Sequence, residues 1–302
     1  MITKDHRGSE REFFSPWTKT KFTVDLPEFA KTIVLHSKNG WVVLLTCECC
    51  EQVPRVFLLN PFNRVKLEMP RRPPPFRARL SAIYMLEGTP NCVALGGPYR
   101  RLPPGLIAMA HPGDDDWKIF TIPSAVLDQR IVHMFFADRY LYLIDNYGRA
   151  LRFNTIDFTM TNGFMGEKVN EFGTEDRDTY FLQCNKEVIR VSSTGLIPYG
   201  RFCMYGFTKT EWGFYKYNFT KAAWEALDED EIRGKSWFLS NCGAKISSAA
   251  EGTPVEKVHF LSKLKKKGSF CLFSCDLNSP GKDAHSYFGN LCEKRTVWIN
   301  MA

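Results

Sequence analysis

Nowhere does this chain of 302 residues hold an uninterrupted apolar run approaching the ~20 residues that a membrane-crossing helix needs. Its opening, MITKDHRGSEREFF, is charged and lacks the apolar stretch of a secretory leader. Long segments with the 3.6-residue spacing of amphipathic helices are nearly absent, which argues against a helical fold. Familiar catalytic signatures are missing too. The sequence has no Gly-x-Ser-x-Gly elbow, no His-Glu-x-x-His and no phosphate-cradling Walker loop. On these grounds the chain is expected to be non-enzymatic, without cofactor or resident metal, and not a membrane protein. An enzyme using loops at a central channel remains the alternative.

Charge is modest. There are 40 Lys and Arg against 33 Asp and Glu, giving a net +7 and a pI near 8.8. Nucleic-acid domains gather such charge on one face or helix, whereas here it is spread along the chain, so nucleic acid is not the expected ligand. The ten cysteines do not suggest a disulfide framework, because such frameworks staple short chains that cannot build a core. Cys92 in NCVALGG, Cys203 in RFCMYGF and Cys271 in SFCLFSC lie inside apolar runs, where a free thiol acts as a small hydrophobe. The expectation is a reduced protein of the cytoplasm, the nucleus or both, an organelle remaining open, with no disulfides.

What fills the chain is strand signal: short runs of Val, Ile, Leu, Phe and Tyr bounded by Gly, Pro, Asn and Asp. They fall in sequential groups of about four. TIVLHS, WVVLL, RVFLLNP and RVKLEMP form one group, and RLSAIYM, NCVALGG, GLIAMAH and WKIFTIP the next. Asn39-Gly40, Asn146-Tyr147-Gly148, Asn162-Gly163 and residues 112–116 supply hairpin turns. Roughly two dozen strands in fours fit an all-β propeller of about six four-stranded blades. It would be kelch-like but diverged, since Gly96-Gly97 is its one Gly-Gly pair. A large sandwich or two packed barrels is the competing all-β reading. Residues 31–302 form the expected propeller and residues 1–30 an extension. Residues 228–232 read equally as a short helix or a solvated loop. Trp41, Leu44, Phe57, Leu59, Tyr142, Phe238 and Phe260 are expected to be buried strand residues. Trp41, Trp117, Trp224 and Trp237 are expected to pack between blades.

An ordered series of segments resembles the plant family called DUF295, or the KIB1-4 β-propeller domain. It runs from Ser15-Pro16-Trp17 through SKNGWVVL (37–44), FLLNPF (57–62) and LEMP (67–70) to NCVA (91–94) and PGDDDW (112–117). It continues with YLYLID (140–145), YNFTKAAW (217–224), SWFLS (236–240) and KVHF (257–260). The resemblance implies a propeller that recognises another protein. Many relatives carry an N-terminal F-box that docks on Skp1 in a cullin ubiquitin ligase, with the propeller selecting the substrate. Residues 1–32 lack the periodic apolar spacing of an F-box and contain two Pro. The chain reads as an F-box-less paralogue or a truncated adaptor, and Skp1 binding is not expected of it as given.

Four local features compete for a functional role. Cys47-Glu48-Cys49-Cys50 reads as free thiols at a strand end, because a second ligand pair at zinc-site spacing is missing. Asp114, Asp115 and Asp116 read as a solvated hairpin tip. His111, His133 and His259 flank or sit in strands and read as structural. The basic runs are 263–267 and 71–79. In the latter, RRPPPFRAR joins polyproline stiffness to four guanidinium groups suited to carboxylate or phosphate. Arg71, Arg72, Arg77 and Arg79 are the candidate binding residues, facing an acidic protein partner.

Overall fold

The computed structural model describes residues 2–3, 9–15, 20–46, 54–71, 80–97, 106–122, 131–138, 140–145, 147–156, 159–160, 165, 177–184, 187–194, 211–239, 245–248, 256–263, 269–277, 285–286 and 291–292. Nearly all of them are strand or turn. Blade 1 is β4 (Thr32–Lys38), β5 (Trp41–Thr46), β6 (Val56–Leu59) and β7 (Lys66–Glu68), paired in chain order. Blade 2 repeats this with β8 (Leu80–Leu86), β9 (Thr89–Gly96), β10 (Leu106–Ala110) and β11 (Lys118–Thr121). Blade 3 has β12 (Ile131–Ala137), β13 (Tyr140–Asp145) and β14 (Ala150–Asn154). Blade 4 has β15 (Arg177–Cys184), β16 (Glu187–Thr194), β17 (Glu211–Asn218) and β18 (Ala223–Ala226).

Blade 5 departs from the simple meander. Its strands are β19 (Lys235–Leu239), β20 (Lys245–Ser248), β21 (Lys257–Lys263), β22 (Ser269–Asp276), β23 (His285–Ser286) and β24 (Leu291–Cys292). They lie in the order β20-β19-β21-β22-β23, with β24 also on β22. β19 and β21 run parallel, Trp237 opposite Val258 and Phe238 opposite His259. The remaining sheet is N-terminal: β1 (Ile2–Thr3), β2 (Glu10–Ser15) and β3 (Thr20–Asp25).

The ring therefore has five blades rather than the expected six or so. The reason is repeat length. Successive blades begin at Thr32, Leu80, Ile131, Arg177 and Lys235, so each takes roughly fifty residues, the upper end of the propeller range.

Period-two alternation explains why the blades stack. In β5, Trp41, Val43 and Leu45 join a cluster with Ile83, Val93 and Leu95 of blade 2. Val42 and Leu44 point the other way and meet Phe13, Leu26 and Phe29 from the N-terminal segment. A strand covered on both faces reads as a continuous apolar run, which is why WVVLL shows no polar alternation. Further clusters join blades 2 and 3, 3 and 4, and 4 and 5. Trp41, Leu44, Phe57, Leu59, Tyr142 and Phe238 are all buried. Phe260 lies in β21, its side chain outside the described residues.

The tryptophans do pack between blades, and two also pin them. Trp117, just before the outer strand of blade 2, donates its indole N–H to the Pro70 carbonyl behind blade 1 at 2.5 Å. Trp224, in the outer strand of blade 4, donates to the Gly148 carbonyl of blade 3 at 2.7 Å.

Turns follow their residues. Asn39 and Gly40 have φ of 46° and 80°, the paired positive values of a tight hairpin turn. Glu87-Gly88 makes the same turn in blade 2, at φ 50° and 79°. In blade 3 the completely buried Asp145 carboxylate accepts from the Tyr147 N–H at 2.9 Å, the Arg149 N–H at 2.8 Å and Arg149 Nε at 2.8 Å. Asn162-Gly163 lies outside the described residues. Residues 229–232 are a helix, which settles the choice left open by the sequence. Asp228 accepts from the Glu231 N–H at 2.8 Å while Glu231 reaches back to the Asp228 N–H, a reciprocal cap.

Candidate functional site

Two places bring functional side chains together: the centre of the ring, and the rim where blade 1 meets the N-terminal hairpin. At the centre, the inner strands β4, β8 and β12 lie side by side, and β15 of blade 4 packs against β20. Alternation puts His36 and Lys38 of β4 on one face, as it does Phe181 and Gln183 of β15. Lys38 Nζ donates to the Ile83 carbonyl of β8 at 3.1 Å and to Gln183 Oε1 at 2.7 Å. Blades 1 and 4 are not ring neighbours, so the second bond spans the centre. Gln183 Nε2 in turn donates to the Phe136 carbonyl of β12. Ser81 of β8 donates to the Leu35 carbonyl of β4 at 2.9 Å. Two side chains thereby tie the inner strands of four blades.

The histidines beside this network are neutral at physiological pH. Burial pulls the His36 imidazole down to about 3, with the nearby His133 and Lys38 pulling the same way. His133 is also pulled down to about 3 by burial, and its ring stacks on Phe181 at 4.7 Å and 11°. Lys38 is lowered to about 8, again by burial. His259, in blade 5, is separate. It is buried against Phe238, ring on ring at 4.6 Å, and burial then Lys257 lowers it to about 4.

At the rim, β2 and β3 pair Phe13 with Phe22. The Phe13 ring stacks on Phe22 at 5.2 Å and meets Phe62, in the β6–β7 turn, at 6.4 Å. Phe13 is buried, whereas Phe22 and Phe62 are 48% and 43% exposed. Val65 is exposed in the same turn, and Arg64 Nη2 donates to the Asp25 carbonyl at 2.9 Å, joining turn and hairpin. Lys66 is exposed and pairs with Glu68 at 2.6 Å.

Of the sequence-derived candidates, Arg71 is exposed just beyond β7 of this same blade. Arg72, Arg77 and Arg79 lie outside the described residues, as do Cys47, Cys49, Cys50 and residues 264–267. Cys271 and Cys275 are in β22, opposite Ser262 and Val258. Asp114 closes its turn by accepting from the His111 N–H at 2.8 Å, and Asp115 and Asp116 are exposed. Among the described residues no three His, Cys, Asp or Glu side chains cluster to hold a metal ion. Sequence reasoning missed Lys38 and Gln183, polar residues near the C-terminal ends of β4 and β15 with nothing local to mark them out. It also missed the Phe22–Phe13–Phe62 stack, which brings together residues far apart in the chain.

Compared with known proteins, residues 13–284 match the family model of the KIB1-4 β-propeller. No curated protein matches. The Cps50 (Swd1) propeller domain of Myceliophteria thermophila is 8% identical over 93% of this chain and 86% of that one, with a TM-score of 0.43. The propeller domain of the Trilobed protease from Pyrococcus furiosus is 11% identical, covers 81% of both chains and has a TM-score of 0.38. The complex of KlAtg21 with the coiled coil of AgAtg16 contains a chain 9% identical, over 84% of this chain and 68% of that one, at a TM-score of 0.38.

Proposed function

We propose that this chain, which belongs to the KIB1-4 β-propeller family, is a non-catalytic protein-interaction platform that docks its partner on the rim of blade 1. The observation that carries this reading is the pair of exposed rings, Phe22 and Phe62, held in place by the buried Phe13 between them. Oriented aromatic side chains that remain open to solvent have the character of interface anchors, giving large contact area at small entropic cost. Arg64 and Lys66 stand in or beside the same turn, and Arg71 begins the 71–79 segment on the same blade. An acidic protein segment with an apolar anchor fits this combination. Guanidinium groups pair with carboxylates in a bidentate fashion, and a Pro-rich stretch loses little entropy on binding. Substrate selection of the kind that F-box adaptors assign to their propellers is the finer reading, within the cytoplasm or nucleus.

Two variant sets test it. Phe22→Ser with Phe62→Ser removes the anchors, and Arg71→Ser, Arg72→Ser, Arg77→Ser and Arg79→Ser removes the charge. Exposed substitutions cost within about 0.5 kcal/mol each, so the thermal midpoint of the Arg variant should barely move. Capture of proteins from plant extract by the immobilised chain is expected to fall about thirtyfold in the aromatic variant, the effect of losing a 2 kcal/mol hot spot. The Arg variant should lose the salt-sensitive part of binding. Capture unchanged in both variants would return the rim to ordinary surface. Blotting the captured material for Skp1 tests the ligase arm separately, and recovery through the N-terminal segment would reverse the expectation of no Skp1 binding.

A further inference from the structure

Among the described residues, three basic side chains meet at the centre of the ring with no acid opposite them. Lys38 and His36 share one face of β4, and His133 of β12 stacks on Phe181, which shares a face of β15 with Gln183, the partner of Lys38; both Lys38 and His133 depress His36. The elements around Lys38 offer it only neutral partners, the Ile83 carbonyl of β8 and the Gln183 amide of β15. Among the described residues no carboxylate pairs with Lys38. Glu87 and Asp138 are exposed at the turns that follow β8 and β12. Burial is the sole cause of the lowered Lys38, with neither acid offsetting it. An ammonium group has three N–H donors. Two are used, and among the described residues the third has no partner. A desolvated cation held by neutral dipoles alone is costly unless a counter-charge joins it.

We propose that the centre of the ring is a binding site for one carboxylate group, held by the free N–H of Lys38 with His36 and His133 beside it. Charge sets the ligand class. With both imidazoles neutral, the site carries a single positive charge. A monoanionic carboxylate cancels it, whereas a phosphate dianion would leave a net negative charge among poorly solvated groups. The carboxylate can belong to a small free acid or to a Glu or Asp side chain of a docked protein. The site is independent of the blade-1 rim, since none of Phe13, Phe22 and Phe62 contributes to it.

The test uses the unmodified full chain and trace labelling of its amines with a propionyl N-hydroxysuccinimide ester, followed by mass spectrometry of the Lys38 peptide. Only the deprotonated amine reacts. In chloride, Lys38 should half-titrate near pH 8. Saturating acetate at matched ionic strength is expected to raise it by about one unit, cutting labelling at pH 8 about fivefold. The exposed Lys31 should label equally in both salts. Inorganic phosphate should protect less than twofold. The tripeptide Gly-Glu-Gly, blocked at both ends, separates the two sources. Protection by acetate and peptide assigns the site to a partner's side chain, and protection by acetate alone assigns it to a small free acid. Equal labelling in acetate and chloride overturns the site. Stronger protection by phosphate than by acetate overturns its assignment to carboxylates.

Discussion

Acidified from pH 7 to about pH 4.5, the propeller is expected to lose most of its stability. The cause is its neutral histidines. In the folded state His36 and His133 titrate at about 3 and His259 at about 4, against 6.5 for a free imidazole. Between those values the unfolded chain binds the more protons, so stability falls as pH drops below 6.5 and goes on falling until the folded value is reached. At about pH 4.5 each histidine costs on the order of 2–3 kcal/mol at 1.36 kcal/mol per unit, and the three together amount to several kcal/mol. Whole domains hold only about 5–15 kcal/mol. Urea midpoints measured from pH 7 downward should therefore collapse before pH 4.5. A flat midpoint between pH 7 and pH 5 would refute the account. His259→Phe is the diagnostic variant. Both ring nitrogens of His259 are buried and have no hydrogen-bond partner among the described residues, and a phenyl ring keeps the stack on Phe238. About one third of the pH dependence should vanish.

The second large effect is at the junction of blades 4 and 5. Trp237 is wholly buried, its ring 4.6 Å from that of Phe214, in a cluster that also holds Leu182, Val191 and Val258. Trp237→Ala should cost about 3–5 kcal/mol through lost contacts and the cavity left behind. At about 2.1 cal/mol/K of unfolding entropy per residue, a chain of 302 residues loses ~1.6 °C per kcal/mol, and the midpoint should drop by roughly 5–8 °C. Trp237→Phe should cost below ~1.5 kcal/mol. Among the described residues the indole N–H has no acceptor, so its removal relieves a desolvation cost that partly offsets the lost volume. Calorimetry of the two variants decides the matter. An Ala variant within 1 kcal/mol of the parent would show that this junction does not hold the ring.

The strands of blades 1 to 3 were legible because each needs only local information. Alternation, Asn-Gly turns and apolar runs such as WVVLL state their own pairing. Blade 5 was not legible in that way. Lys245–Ser248 leaves the meander for the inner edge, and β21 then pairs parallel to β19, a choice that local sequence does not encode. Blade number was misjudged by the same route, since dividing length by a typical period ignores long connections. The centre of the ring stayed hidden for a different reason. Lys38 sits beside the Asn39-Gly40 turn, where a lysine looks like solvated surface. Only the five-fold closure brings it to Gln183, far away in the chain. Arg71 drew attention in the sequence because its neighbours, unlike those of Lys38, make an unusual local string.

The tryptophan pins have a consequence for biosynthesis. Each one points backward: Trp117 holds the carbonyl of Pro70, and Trp224 that of Gly148. A ribosome delivers the chain from its N-terminus at about 5–20 residues per second. Each acceptor carbonyl is thus already in place when its indole emerges, and no pin waits on a segment still unmade. Nascent chains arrested after Trp117 has cleared the exit tunnel should resist protease across blade 1, whereas chains arrested before it should be cut there. At these two places the ring would then be assembled as a ratchet, the indole of the later blade locking the sheet made before it.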